Sequence, residues 1–450
     1  MTAPAPHQAS LRSRFIKGGA WTIGGLGANN LLRLASNLVM TRLLMPEAFG
    51  LMAIAATLQY WLTMMSDVGL NASVMRHKDD ADGSFMSTVF VTQIGRNARM
   101  AVALLVVAAS LGPLRAAGAL PPSSVFADPL LPAFVAAVAL AAVIRGFNSM
   151  RSMLHQKALN MGPITRVDLA AQVIAFATMA SAAALGAGPL SLALGVIANA
   201  VWTTAASYLV LKGPRARLGF NRAHFGTIFH YGKWIVVSST FGALAARGAQ
   251  FIFGWTLDAT AFSFYAIATI WTLAAGGVVL ALIRKVTFPV FAEIQRERPK
   301  ALANAYRRVR AGVEALSIAL FVGAFALADF GVDLLYEDRY APVAFYIKLA
   351  AIEFLLLPYR LAPMTVLAAG DSRRFLVGTV LSGVSLFVGA PVALKAFGPE
   401  AAILWAGLAP IVAAPYSLWI ARGLFPLSYA REAVPGLLAL AAAPLVYFFA

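Results

Sequence analysis

The sequence predicts an all-α polytopic membrane protein built from two pseudo-symmetric six-helix lobes. Three observations predict it. Sixty per cent of residues are hydrophobic and 12% charged, with a mean hydropathy of +0.76, far outside the range of soluble domains. Twelve apolar stretches of membrane-crossing length follow one another with short polar breaks, and a shorter thirteenth closes the chain. The chain also repeats itself. At an ungapped offset of 213 residues Trp21 falls on Trp234, Leu44 on Leu257, Ala48-Phe49 on Ala261-Phe262, and Ala53-Ile54-Ala55 on Ala266-Ile267-Ala268, the pattern of a duplicated helical unit.

In order, the spans cover 19–43, 48–67, 88–112, 130–147, 165–186, 189–211, 232–256, 262–283, 311–328, 344–369, 375–397 and 400–421. At about 1.5 Å per residue each suffices to cross roughly 30 Å of hydrocarbon. The first two spans form one copy of the repeat: a Trp-led helix, a break carrying Phe, and a helix opening on Ala-Ile-Ala. The seventh and eighth form the other. An N-lobe is therefore expected over 1–211, a basic Gly/Pro-containing linker over 212–231, a C-lobe over 232–421 and an extra segment over 422–450. Within the last, 434–449 is either a thirteenth crossing or a helix lying in the interface. The stretch 284–310, with Glu293 and Glu297 among its bases, is either an amphipathic helix along the membrane face or a solvated connection.

The basic residues orient this array. With the N-terminus in the cytoplasm, 26 of the 36 Lys and Arg fall on cytoplasmic segments, five on the opposite loops and five within spans. This is the asymmetry that sets topology. The net charge of +17 is thus spread over short loops and is not the concentrated basic surface that nucleic acid requires. There is no Cys, and the five His lack zinc-like spacing, so neither disulfides nor a metal or other cofactor is expected. Residues 1–10 lack the apolar core and cleavage site of a signal peptide. The longest loops opposite the cytoplasm, 112–130 and 329–345, are too short for a catalytic domain, so a transporter is expected and not an enzyme.

Polar groups inside the spans are the candidates for function, because charge at membrane depth faces a protein interior or an aqueous cavity. Asn29, Arg33 and Asn37 follow at four-residue spacing and give the first span one polar stripe. The seventh span carries Arg247 and Gln250 in a comparable stripe, and Arg247 lies one residue from strict equivalence with Arg33. Two arginines are thus expected to face the lobe interface; the competing reading pairs each with a buried carboxylate or a helix carbonyl. In the tenth span Glu353 precedes Arg360 by seven residues, on one face of an α-helix, with Pro358 and Pro363 interrupting the backbone bonds. Glu353 is the ion-coupling candidate, and a static pair with Arg360 is its rival. Deep guanidinium groups favour an anionic cargo, and phosphate is the anion they grip bidentately. Asn29, Asn37, Gln59, Gln172, Asn199 and Gln250 supply the donors and acceptors that a sugar needs, though buried amides also join helices.

Three stretches carry a resemblance. Phe15-Ile16-Lys17-Gly18-Gly19-Ala20-Trp21, Thr41-Arg42-Leu43-Leu44-Met45-Pro46-Glu47-Ala48-Phe49-Gly50 and Asp67-Val68-Gly69-Leu70 resemble the N-terminal signature of the bacterial polysaccharide transport family. Those proteins are lipid-linked oligosaccharide (O-antigen) flippases of the multidrug/oligosaccharidyl-lipid/polysaccharide exporter superfamily. Gly146-Phe147-Asn148-Ser149 and His155-Gln156-Lys157-Ala158-Leu159 resemble its segment between the fourth and fifth helices.

The resemblance implies a V-shaped exporter fold with a cationic cavity. It implies alternating access that carries an undecaprenyl-pyrophosphate-linked oligosaccharide across the bacterial inner membrane for capsule, exopolysaccharide or O-antigen assembly. Arg33 matches by position the family arginine that holds pyrophosphate; Arg247 and Arg360 follow by cavity logic. Trp21, Trp234 and Tyr60 would face sugar or lipid, or anchor the interface. Coupling to H+, to Na+ or to the membrane potential is left open. The implied partners are the lipid-linked oligosaccharide, membrane lipids, and a polysaccharide polymerase with its chain-length and export machinery. Three rivals stand beside this reading: a multidrug or ion-coupled exporter of the same fold, a membrane polymerase or glycosyltransferase, and a scaffold of the biosynthetic complex.

Overall fold

In the computed structural model, which describes residues 11–76, 83–158, 160–214 and 216–449, all regular structure is helical among the described residues. The N-terminal segment 1–10 and the side chain of Trp234 lie outside what is described. Each of the thirteen apolar stretches is helical. Ten helices are long and apolar enough to cross a membrane, or eleven with one bent pair, among the described residues. Two more, 33 and 35 residues long, contain the first and seventh stretches. The chain is a multi-pass membrane protein.

It packs as two compact units, the first comprising Met1–Leu44, Leu58–Pro113 and Pro129–Val237, the second Met45–Thr57, Leu114–Asp128 and Ser238–Ala450. The first unit holds α1 (Leu11–Leu43), most of α4 (Gly83–Ala116), α5 (Leu131–Gly146), α6 (Arg151–Lys157), α7 (Met161–Ala184) and α8 (Leu190–Leu209), with α3 (Leu70–Arg76). α5 and α6 form the pair bent by 70°. The bend falls on the Gly-Phe-Asn-Ser motif, and its polar groups are spent on it. Gln93 Nε2 donates to the carbonyls of Gly146 (2.9 Å) and Asn148 (3.0 Å), Ser207 Oγ accepts from Ser149 N (2.9 Å), and Thr204 Oγ1 meets Asn148 Oδ1 at 2.6 Å. In an apolar surrounding a broken helix persists only where its freed carbonyls find such partners. The linker is pinned to α4: Arg217 N donates to Ser87 Oγ and Asn221 N to Thr88 Oγ1.

In the second unit the far-end half of α2 (Glu47–Met65) lies beside α10 (Ala259–Leu282), and the repeat becomes visible as geometry. Thr260 Oγ1 donates to Glu47 Oε1 at 2.8 Å, and a methyl on Gly50 would strike Ser263 Oγ. Both pairs are separated by the 213-residue offset. Contacts between repeat equivalents are what a local two-fold axis between α2 and α10 brings about. Asp258 caps α10 by accepting from Thr260 N and Ala261 N, a contribution of about 1 kcal/mol.

The rest of this unit comprises α9 (Arg222–Thr256, chiefly its second half), α11 (Phe288–Glu297), α12 (Leu302–Leu335), α13 (Pro342–Ala351), α14 (Leu361–Ala368), α15 (Ser372–Phe397), α16 (Pro399–Leu408), α17 (Pro410–Arg422) and α18 (Tyr429–Phe449). α11 lies within 284–310, the stretch left open between an amphipathic helix and a solvated connection. It buries Phe291 against Tyr306 of α12. α18 holds the last apolar stretch and is among the helices long and apolar enough to cross a membrane. Near its start Glu432 pairs with Arg310 in the third turn of α12 (2.8 Å), and near its end Tyr447 Oη donates to the carbonyl of Phe397, the last residue of α15. The 21 residues of α18 make about 30 Å of helix.

Candidate functional site

Of the ten helices among the described residues that are long and apolar enough to cross a membrane, the tenth span is the most enclosed. Seventy-two per cent of its apolar window is buried, against 17–50% in the others. It is not one helix. α13 ends at Ala351, Ile352–Arg360 winds as 3₁₀ helix, and α14 resumes at Leu361. This corrects the geometry expected for Glu353 and Arg360. Seven residues on an α-helix return to the same face, but at about 120° per residue of 3₁₀ they end roughly 120° apart. Ile352 and 354–359 are buried, Glu353 is half-buried, and Arg360 is exposed. The Arg360 guanidinium thus departs from the buried run that precedes it.

Other charged and polar groups of the same unit converge on this span. Arg360 is within electrostatic reach of Glu353 and of Arg284, which sits on a five-residue π turn, Ile283–Thr287, at the end of α10. Tyr265 of α10, 6% exposed, is within reach of both Glu353 and Arg247. Arg247 Nη1 donates to Gln250 Oε1 at 2.9 Å, one turn along α9, and Thr57 Oγ1 lies 2.8 Å from the same oxygen; Gln250 Nε2 reaches Thr269 Oγ1 at 3.4 Å. The Gln250 carbonyl is thereby shared by Arg247 and Thr57, and one of its two N–H donors goes to Thr269. Arg247 and Glu353 are thus within electrostatic reach of Tyr265, and Glu353 and Arg284 of Arg360, all in the second unit; guanidinium groups suit an anion with several oxygens.

Of the residues singled out from the sequence, Arg247, Gln250, Glu353 and Arg360 are brought together in the second unit. Asn29, Arg33 and Asn37 lie in the first unit on α1, where Arg33 is exposed, Asn29 half-buried and Asn37 buried. Trp21 packs on α7: a methyl on Gly162 would stand 3.2 Å from its ring, and the Arg166 guanidinium lies 5.8 Å from the ring centre. Thr57, Tyr265, Thr269 and Arg284 were not expected. A hydroxyl in an apolar helix reads as core, and Arg284 reads as a topology charge. One signal was available, because Gln250 stands at the 213-residue offset from Asn37, so both copies carry an amide at that place. Among the described residues no group of His, Asp and Glu could hold a metal ion.

A family model described as "Polysaccharide biosynthesis protein" matches residues 39–344. The lipopolysaccharide biosynthesis protein WzxC of Escherichia coli (strain K12) is 22% identical over 354 residues, 77% of this chain and 68% of that protein. Among solved structures, the lipid II flippase MurJ in an inward closed conformation aligns with a TM-score of 0.66 at 12% identity, covering 96% of this chain and 92% of MurJ. An inward-facing multidrug resistance MATE family transporter of the MOP superfamily aligns at 0.63 and 14%, covering 95% and 96%. The Vibrio cholerae MATE transporter VcmN in its bent form aligns at 0.54 and 14%, covering 94% and 99%. The fold is thus the one these flippases and exporters share.

Proposed function

This chain belongs to the polysaccharide biosynthesis protein family, and from that premise we propose that it is a flippase carrying an undecaprenyl-pyrophosphate-linked oligosaccharide across the bacterial inner membrane by alternating access. The observation that carries the reading is the cationic site: Arg247, held by Gln250, and Arg360 and Arg284 around Glu353. A pyrophosphate brings several anionic oxygens that these guanidiniums meet with paired bonds. Arg33, with Asn29 and Asn37 beside it, supplies the matching groups of the first copy. Glu353 is the group whose protonation or cation binding couples transport to an ion gradient. Nothing covalent happens; the site supplies differential affinity for the lipid-linked anion on the two sides of the membrane. The first span enters from the cytoplasm, as the distribution of basic residues supports, and a polymerase and export machinery take up the product.

The test is transbilayer movement of a labelled undecaprenyl-pyrophosphate oligosaccharide in proteoliposomes, comparing wild type with Arg33→Ala, Arg247→Ala and Arg360→Ala at matched protein levels. Movement in wild type and its loss in folded variants supports the reading. Movement indifferent to all three places the pyrophosphate elsewhere, and a wild type that exports cationic dye but moves no lipid assigns the chain to drug export.

A further inference from the structure

Nine consecutive residues of 3₁₀ helix are unusual, because runs beyond three or four residues lose to α geometry unless the surroundings hold them. Pro358 removes one N–H from the competing α ladder, but a single proline does not account for nine residues. The surroundings do. Three helices each present a glycine to this stretch. On Gly276 of α10 a methyl would stand 3.0 Å from Phe354 Cε1; on Gly407 of α16 it would strike Ile352 Cγ2 and stand 3.3 Å from Glu353 N; on Gly436 of α18 it would stand 2.6 Å from Tyr359 Oη. Gly436 N–H also donates to Tyr359 Oη at 3.0 Å. Only glycine lets three walls come this close. The neighbouring Gly277 has nothing within 4 Å of where its methyl would be, so a general preference for small residues does not explain the pattern.

We infer that Gly276, Gly407 and Gly436 are positioning residues that clamp Ile352–Arg360 in its 3₁₀ form and so fix where Glu353 and Arg360 point. The inference rests on the reading of those two residues as transport groups, and it makes α18, the helix beyond the two six-helix copies, part of the transport machinery. Relaxation of the stretch to α geometry would shorten it by about 4–5 Å and swing Arg360 by more than 90° relative to Glu353. The cradle prevents this.

The chain has no Cys, so Arg360→Cys gives a single reporter whose rate of modification by a charged thiol reagent reads where position 360 points. In that background Gly276→Ala, Gly407→Ala and Gly436→Ala should each change the rate about tenfold through overpacking, while Gly277→Ala leaves it unchanged. Tyr359→Phe, which removes the atom that the Gly436→Ala methyl strikes, should restore the Gly436→Ala rate. With Arg360 intact, lipid-linked oligosaccharide movement should fall in Gly436→Ala and return in the Gly436→Ala/Tyr359→Phe pair. Rates within twofold of the parent in all three alanine variants, or no restoration by Tyr359→Phe, overturn the cradle. The labelling needs no substrate, so a wild type that moves no lipid-linked oligosaccharide sinks the flippase reading and leaves the cradle to be decided by the labelling alone.

Discussion

The second unit contains two arginine–carboxylate couples built in opposite ways. Arg310 and Glu432 are closed: 2.8 Å apart, 2% and 4% exposed at the side chain, with Tyr306 Oη donating to the same carboxylate at 3.1 Å and Phe291 and Phe425 packed on the Tyr306 ring. Arg360 and Glu353 are open: one exposed, one half-buried, on a 3₁₀ stretch that turns them apart, with Tyr265, Arg247 and Arg284 in electrostatic reach. The closed couple is a buried ion pair in direct contact that joins α12 to α18, with Arg310 Nε and Nη1 making no hydrogen bond. The open couple turns its two groups apart on the 3₁₀ stretch. Burial and charge alone do not separate a strut from a site; whether the two charges face each other does.

The largest effect follows from breaking the closed couple. Glu432→Ala leaves the buried Arg310 with only Glu314, 4.0 Å from its Nε, and should destabilise the folded protein by up to about 3–5 kcal/mol, read as a large drop in the thermal midpoint in detergent. Replacing both partners by apolar residues, Arg310→Met with Glu432→Leu, should recover most of that loss, since a buried pair exchanged for packed hydrocarbon is often neutral. A double variant as unstable as Glu432→Ala would show that the pair does more than hold α12 to α18.

Opening the comparison from the other side, Arg360→Ala should leave the thermal midpoint almost unchanged and reduce transport about ten- to a hundredfold, the worth of one charge-assisted bond to phosphate at about 1.5–3 kcal/mol. Arg360→Lys keeps the charge without the planar fork and should restore only part of the rate. Were Arg360→Ala to unfold the protein while transport per folded molecule stayed constant, the two couples would be the same kind of object and the distinction would fail.

What the sequence made legible follows the same line. A charge within an apolar run is visible anywhere, so Arg247, Glu353 and Arg360 stood out, and Gln250 stood out beside Arg247. Arg310 did not. At the edge of a basic segment it reads as one more orienting charge, and the carboxylate that buries it lies 122 residues further on, where no local pattern points to it. All thirteen helical stretches were legible, because about 20 apolar residues in a row have few alternatives. The 3₁₀ interruption of the tenth was not, since its cause is three glycines on three other helices; Pro358 was the only local mark. The Gly-Phe-Asn-Ser stretch was legible as a motif but not as a bend, because the groups that satisfy it, Gln93, Thr204 and Ser207, lie on other helices.

A smaller effect tests whether Gln250 belongs to the strut or to the site. It is 7% exposed and bonded on both sides of its amide, yet what it holds is Arg247. Gln250→Ala should lower stability by about 0.5–1.5 kcal/mol and weaken protection by inorganic pyrophosphate of an Arg360→Cys reporter in which Arg247 is intact. Loss of stability with protection intact would assign it to the scaffold.

The smallest effect comes from exchanging residues across the local two-fold axis. Gly50→Ser alone sets a side chain against Ser263 Oγ where only glycine fits, an overpacking of about 1–3 kcal/mol. Gly50→Ser combined with Ser263→Gly moves the same serine to the equivalent place on the other copy. If the axis runs between α2 and α10 as the Glu47–Thr260 bond indicates, the double variant rebuilds the original contact with its partners reversed, and the thermal midpoint should return to within about 0.5 kcal/mol of wild type. A double variant no better than Gly50→Ser would mean that the two copies have diverged here, and the 213-residue match would then record ancestry without present equivalence.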